Sequence, residues 1–138
     1  MIVLDASAAV ELLLNTTVGQ RISQRIAPRA ETLHAPHLID LEVAQCLRRY
    51  VTTGVVTAAR ARLALDHLAG LDLERYAHEP LIDRIWNLRH NLTAYYAAYV
   101  ALAEVLGATL LTCDQRLAQA AHALAATEVF EPDSREAG

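Results

Sequence analysis

The chain has 138 residues, of which 54% are hydrophobic and 20% are charged. This composition excludes an intrinsically disordered protein, and the length suits one domain with a substantial core. The formal net charge of −4 excludes a protein that holds nucleic acid by bulk positive charge.

The first half of the chain alternates short apolar runs with amphipathic segments. An apolar run near the N terminus stops at Asp5 and continues into helix-forming residues, which is typical of a buried strand leading into a helix. Thr57 before a helical pattern and Gly70 at its end are the expected start and stop signals. The pattern predicts strand 2–4, helix 6–14, a polar helix to about residue 29, strand 32–35, helix 36–52 and helix 58–70.

The second half continues the alternation. Thr93 is a suitable N-cap for an alanine-rich helix that Gly107 ends. Here the pattern predicts strand 71–76, helix 79–91, helix 94–106, strand 109–112, helix 114–125 and strand 128–130. The remaining segment, 132–138, is polar, and we expect it to be loose.

Strands that alternate with helices predict an α/β protein with three α/β/α layers and a mostly parallel sheet of about five strands. We expect one domain over residues 1–131, followed by a polar tail. No apolar run reaches the roughly 18 residues that a membrane-spanning helix needs, and the N-terminal run lacks a basic flank. We therefore expect a cytoplasmic protein. Cys46 and Cys113 match no metal-binding spacing and are expected to be reduced thiols.

Three carboxylates stand out from this pattern. Asp5 and Asp114 follow predicted strands, and ligands of parallel sheets bind at that edge, although each acid is also placed to cap a helix. Glu42 lies four residues after Leu38 and four before Cys46, on the apolar stripe of its helix, where an uncompensated charge costs several kcal/mol. Acids gathered at one edge favour Mg²⁺ or Mn²⁺, and thus metal-dependent hydrolysis of phosphodiesters.

Four segments, taken together and in order, resemble the PIN domain, and within it the VapC-type toxins of bacterial toxin–antitoxin pairs. The resemblance extends over about residues 1–131. It implies an endoribonuclease dependent on Mg²⁺ or Mn²⁺, a homodimer, and inhibition by a small VapB-type antitoxin. It also implies tRNA or ribosomal RNA as the substrate. The segments are residues 1–8, Leu41-Glu42-Val43, residues 99–104 and residues 111–117.

The resemblance also implies roles for individual residues. Asp5 and Asp114 would bind the metal, Glu42 would be a further catalytic acid, and Ser7 and Thr112 would support ligands or waters.

The chain departs from this family at position 96, where it reads Tyr95-Tyr96-Ala97 instead of the usual Tyr-Asp-Ala. A neutral phenol is a poor ligand for a hard cation. Tyr96 is open to three interpretations: a core aromatic, a naturally weakened metal site, or an inactivating substitution. If position 96 belongs to the site, Tyr96→Asp should raise both Mg²⁺ affinity and RNA cleavage.

Other interpretations stay open. Because of Tyr96, the chain is also compatible with a catalytically impaired PIN domain that binds antitoxin and RNA. Arg21, Arg25 and Arg29 are spaced four apart, which predicts either a solvated face or a contact with RNA or antitoxin. Arg116 is placed to contact phosphate or to pair with a carboxylate. A phosphoacceptor of the response-regulator type is excluded, because the sequence contains no lysine and lacks an acidic pair after the first strand.

Overall fold

The computed structural model of the protein describes residues 1–131, so the predicted polar tail at 132–138 lies outside the described residues. The described part contains five strands in one sheet, in the order β3-β2-β1-β4-β5, and every neighbouring pair is parallel. The predicted parallel sheet of about five strands is confirmed. The strands are β1 (Ile2–Leu4), β2 (Leu33–Pro36), β3 (Leu73–Tyr76), β4 (Thr109–Thr112) and β5 (Thr127–Val129).

Seven α-helices cover the two faces of this sheet within residues 1–131. Alternation along β1 separates the two cores, because Ile2 and Leu4 pack with α1–α4 whereas Val3 packs with α5–α7. The predicted three-layer α/β/α architecture is confirmed. The helices are α1 (Ala6–Leu13), α2 (Thr17–Ile26), α3 (Ile39–Thr52), α4 (Ala58–Gly70), α5 (Ile82–Asn87), α6 (Ala94–Leu106) and α7 (Gln115–Ala121).

Strand order places a natural ligand site at the centre of the sheet. β1 lies between β2 on one side and β4 on the other, so the order of strands reverses between β1 and β4. A crevice forms at such a point beyond the C-terminal ends of the strands. Asp5 and Asp114 follow these two strands, which brings them to the same crevice.

Several predicted helix ends were wrong. The second helix ends at Ile26 instead of residue 29, because Pro28 has no backbone N–H and cannot continue the helical hydrogen bonds. Pro36 ends β2, and α3 begins only at Ile39. The last helix ends at Ala121. The fifth predicted helix, over 79–91, is a 3-10 turn at Glu79–Leu81 followed by α5.

None of the helices within residues 1–131 combines the length and the apolar character that crossing a membrane requires.

Candidate active site

Asp5 is the most deeply buried acid of the crevice, with 4% of its surface exposed. As the N-cap of α1 it accepts the Ala8 N–H at 2.9 Å, and the Ser7 hydroxyl donates to the same Oδ1 at 2.8 Å. The Thr112 hydroxyl donates to the other oxygen, Oδ2. Burial raises the pKa of Asp5 to about 6, although these hydrogen bonds oppose the rise.

Thr112 connects Asp5 to the second strand of the crevice. Its fully buried hydroxyl donates to Asp5 and accepts the backbone N–H of Asp114 at 2.9 Å. The Ser7 hydroxyl likewise accepts the Cys113 N–H at 2.9 Å. The hydroxyls of the two predicted supporting residues, Ser7 in α1 and Thr112 in β4, therefore link Asp5 to the backbone of residues 113 and 114.

Asp114 is fixed by a helix on one side and a tyrosine on the other. Its Oδ1 caps α7 by accepting the N–H groups of Arg116 at 2.9 Å and Leu117 at 3.3 Å. Its Oδ2 accepts the hydroxyl of Tyr96 from α6. Burial and the neighbouring Asp114 raise the pKa of Tyr96 to about 12, which keeps the phenol protonated as a donor. Position 96 therefore contacts the site.

Glu42 lies on the apolar stripe of α3, where a hydrogen bond from a tyrosine compensates its carboxylate. The Tyr99 hydroxyl, one turn after Tyr96 on α6, donates to its Oε1 at 2.7 Å. Burial raises the pKa of Glu42, and the Tyr99 hydrogen bond partly offsets the rise. Sequence reasoning missed Tyr99, yet the spacing of three between two tyrosines already placed both on one helix face.

A cavity of about 430 Å³ opens at this crevice. Arg49 lines it and is a further residue that the sequence interpretation missed. It lies seven residues after Glu42 on the same face of α3. Cys46 and Cys113 also line the cavity, and both are free thiols, as predicted. The acids and hydroxyls on its wall include Ser7, Glu11, Glu42, Tyr96 and Asp114.

The three arginines of the predicted stripe on α2 differ from one another in their contacts and positions. Arg25 pairs with Glu31 and Glu128, both at 2.8 Å, and these contacts raise the pKa of its guanidinium. Arg21 donates to the Glu131 carbonyl at 3.0 Å. Arg29 lies beyond the end of α2. The stripe is therefore interrupted, and its first two members fasten α2 to the end of the described chain.

Arg116 differs from Arg25, the member of the stripe that forms ion pairs. Its guanidinium forms no ion pair with a carboxylate of the described chain. Its backbone N–H donates to Asp114 Oδ1, which places the residue beside the acids. A contact with phosphate therefore remains the stronger prediction for its side chain.

The crevice offers oxygen donors that suit a hard cation. No group of three or more Asp, Glu, His or Cys side chains within residues 1–131 is placed to hold a metal ion. Mg²⁺ needs only one or two protein carboxylates and retains several waters. Asp5 and Asp114, joined by Thr112, fit that description, whereas Glu42 is held separately by Tyr99.

Comparison with known proteins identifies relatives over most of the chain. The PIN domain family matches residues 2–123. Ribonuclease VapC9 of Mycobacterium tuberculosis is 49% identical over 123 residues, which cover 89% of this chain and 93% of that protein. Ribonuclease VapC12 of the same organism is 43% identical over 119 residues, which cover 86% and 91%.

A solved structure shares the fold. VapBC2 from Rickettsia felis, bound to a DNA fragment from its promoter, superposes with a TM-score of 0.69 at 13% identity and covers 95% of this chain and 100% of that one. At this identity the likeness supports the architecture alone.

Proposed function

The chain belongs to the PIN-domain family, and within it to the VapC-type ribonucleases; from this premise we propose that it is the toxin of a type II toxin–antitoxin pair. Its activity would be that of an endoribonuclease that hydrolyses RNA phosphodiester bonds. The observation that carries the proposal is the joining of Asp5 and Asp114 through Thr112 at the strand-order reversal.

Each acid has a distinct task in this proposal. Asp5 and Asp114 would hold the metal ion, and Ser7 and Thr112 orient Asp5 by donating hydrogen bonds to it. The chemistry that a bound Mg²⁺ or Mn²⁺ ion supplies is activation of a water and neutralisation of phosphate charge. Glu42 accepts a proton from water at Oε2, the oxygen that Tyr99 leaves free. Its raised pKa suits a general base.

A second candidate function is favoured by one contact. The Tyr96 hydroxyl occupies Asp114 Oδ2, an oxygen that a cation would otherwise use. If this hydrogen bond outcompetes the metal, the chain is a catalytically impaired PIN domain that binds antitoxin and RNA without cutting.

Cleavage of total RNA across a Mg²⁺ titration separates the two functions. We expect weak cleavage by the natural chain, none in EDTA and none by Asp5→Ala. Tyr96→Asp should cleave at lower Mg²⁺ concentration, because it replaces a phenol donor with a carboxylate ligand. Tyr96→Phe is the matched control, since it frees Asp114 without adding an acid, and it should fall between the two.

Two outcomes would contradict this scheme. Cleavage that survives both EDTA and Asp5→Ala would exclude the metal-dependent reaction. Equal cleavage by the natural chain and Tyr96→Asp at every Mg²⁺ concentration would place position 96 outside the metal site. No cleavage by either form, with RNA binding retained, would support the binding module instead.

The proposal includes partners. VapBC2 of Rickettsia felis, which shares the fold, was solved bound to promoter DNA, and it motivates a VapB-type antitoxin as the inhibitor of this chain. We further propose a homodimer as the functional unit. The antitoxin gene is expected as a short open reading frame immediately upstream.

A further inference from the structure

A second groove adjoins the acidic cavity, and apart from Glu42 its residues have no part in the proposed chemistry. Its volume is about 360 Å³. Glu42 and Arg49 line both spaces, so the groove and the acidic cavity share one wall. The groove is lined by Leu38, Leu41, Glu42, Gln45, Arg49 and Tyr95.

We propose that this groove binds an unpaired nucleobase of the RNA substrate, with Tyr95 as its stacking surface. The inference rests on the proposed ribonuclease function, because it names the subsite that holds the nucleotide beside the acids. Tyr95 is thereby a binding residue that determines how RNA is positioned.

The exposure of the groove residues supports a planar apolar ligand. Tyr95 is 66% exposed and Leu41 is 76% exposed, although they belong to different helices, α6 and α3. Unpaired bases stack on exposed aromatic rings, and Leu41 adds an apolar surface beside that of Tyr95. The Gln45 amide adds a donor and an acceptor for a base edge.

The charge of the shared wall supports a nucleotide over a purely apolar peptide. Arg49 forms no ion pair with any carboxylate among residues 1–131. A nucleotide carries a base and a phosphate within one short unit. With its base against Tyr95, its phosphate would reach Arg49 and lie towards the acids.

Binding measured in EDTA tests the groove independently of cleavage. We would titrate the protein into a labelled single-stranded RNA and into an abasic oligonucleotide of the same length and charge. Tyr95→Ala should weaken RNA binding roughly ten-fold or more, since one stacked base contributes that much. The abasic affinity should stay unchanged, and Tyr95→Phe should bind RNA like the natural chain.

Trp86→Ala is the matched control. Trp86 is 64% exposed, almost as exposed as Tyr95, but it lies on α5 and lines neither cavity. Its replacement should leave both affinities unchanged. Thermal unfolding of all variants verifies that each is folded.

Several results would overturn the inference. It fails if Tyr95→Ala leaves RNA affinity unchanged, if it weakens both oligonucleotides equally, or if the natural chain binds neither. Unchanged RNA binding together with a weakened complex with a protein partner would make the groove a protein-docking surface. If Tyr95→Ala weakens binding of RNA but not of the abasic oligonucleotide, and the natural chain cuts no RNA with Mg²⁺, the proposed catalysis is wrong and the proposed base-binding groove is supported.

Discussion

The burial of Asp5 has a consequence for stability that can be measured without substrate. Its pKa is about 6 in the folded chain against 3.8 in its ordinary state, so the folded protein binds this proton more tightly than the unfolded chain. The resulting stabilisation is fully present below about pH 4 and is lost as the pH rises through 6. At neutral pH the ionised carboxylate is therefore a net cost to folding.

Replacing Asp5 by asparagine should remove this cost. Asparagine also caps helices, so we expect Asp5→Asn to match the natural chain near pH 4. Well above pH 6 it should be more stable by about 3 kcal/mol, because the pKa of Asp5 is raised from 3.8 to about 6 and each unit of that difference corresponds to about 1.4 kcal/mol. Urea unfolding from pH 4 to 8 in EDTA measures this difference.

Asp66→Asn provides the comparison, because Asp66 is half-exposed and pairs with Arg62 on the surface of α4. The free energy of unfolding of Asp66→Asn should equal that of the natural chain at every pH. A constant difference between Asp5→Asn and the natural chain across the range would show that Asp5 titrates normally.

At the scale of single elements, helix ends were predictable from the sequence where a capping residue marks them. Thr57 and Thr93 cap α4 and α6 with their side chains, and Gly107 ends α6 with a φ of 60°. The end of α7 has no such signal. Ala126 accepts a sheet hydrogen bond from Leu110 at 2.7 Å, so the chain must leave the helix early to reach β5. That requirement is tertiary, and the sequence pattern of α7 does not contain it.

The contact of α1 with α2 depends on one glycine. A Cβ at Gly19 would lie 1.9 Å from the carbonyl oxygen of Glu11, which belongs to the backbone of α1 and cannot move as a side chain would. Gly19→Ala should therefore force the two helices apart and lower the free energy of unfolding by about 2 kcal/mol or more. Chemical denaturation measures the loss.

Gly70→Ala is the control for this prediction, because nothing lies within 4 Å of an added Cβ there. Gly70 is the last residue of α4, and alanine should leave stability unchanged or raise it slightly. Equal effects of the two substitutions would mean that α1 and α2 do not pack as closely as described.

At the scale of the whole molecule, the sequence predicted those contacts of the candidate site that depend on the geometry of the sheet. It did not predict the contacts that depend on how helices pack against each other. Parallel strands place their C-terminal ends at one edge, so the meeting of Asp5 with Asp114 followed from two strand ends. The partner of Glu42 depends on how α3 approaches α6 across the crevice. Tyr99 was therefore missed. Arg49 was predictable, because it lies seven residues after Glu42 on the same face of α3.

The distribution of charge decides how an acidic chain holds RNA. Four arginines of residues 1–131 are neutralised, since Arg25, Arg62, Arg75 and Arg84 each pair with a carboxylate. The net charge of −4 adds a general repulsion for a polyanion. Attraction therefore depends on individual arginines without a carboxylate partner, and among them Arg49 lines both cavities of the crevice.

Arg49→Gln should reveal this local contribution in the salt dependence of RNA binding. Each phosphate contact to a single strand adds about 0.7 to the slope of log affinity against log salt, so the slope should fall by about that amount. Arg48→Gln is the matched control, because Arg48 is the neighbouring residue on α3 and lines a separate groove against α4. Its slope should equal that of the natural chain. Equal slopes for both variants would show that binding depends on overall charge and not on the arginine beside the acids.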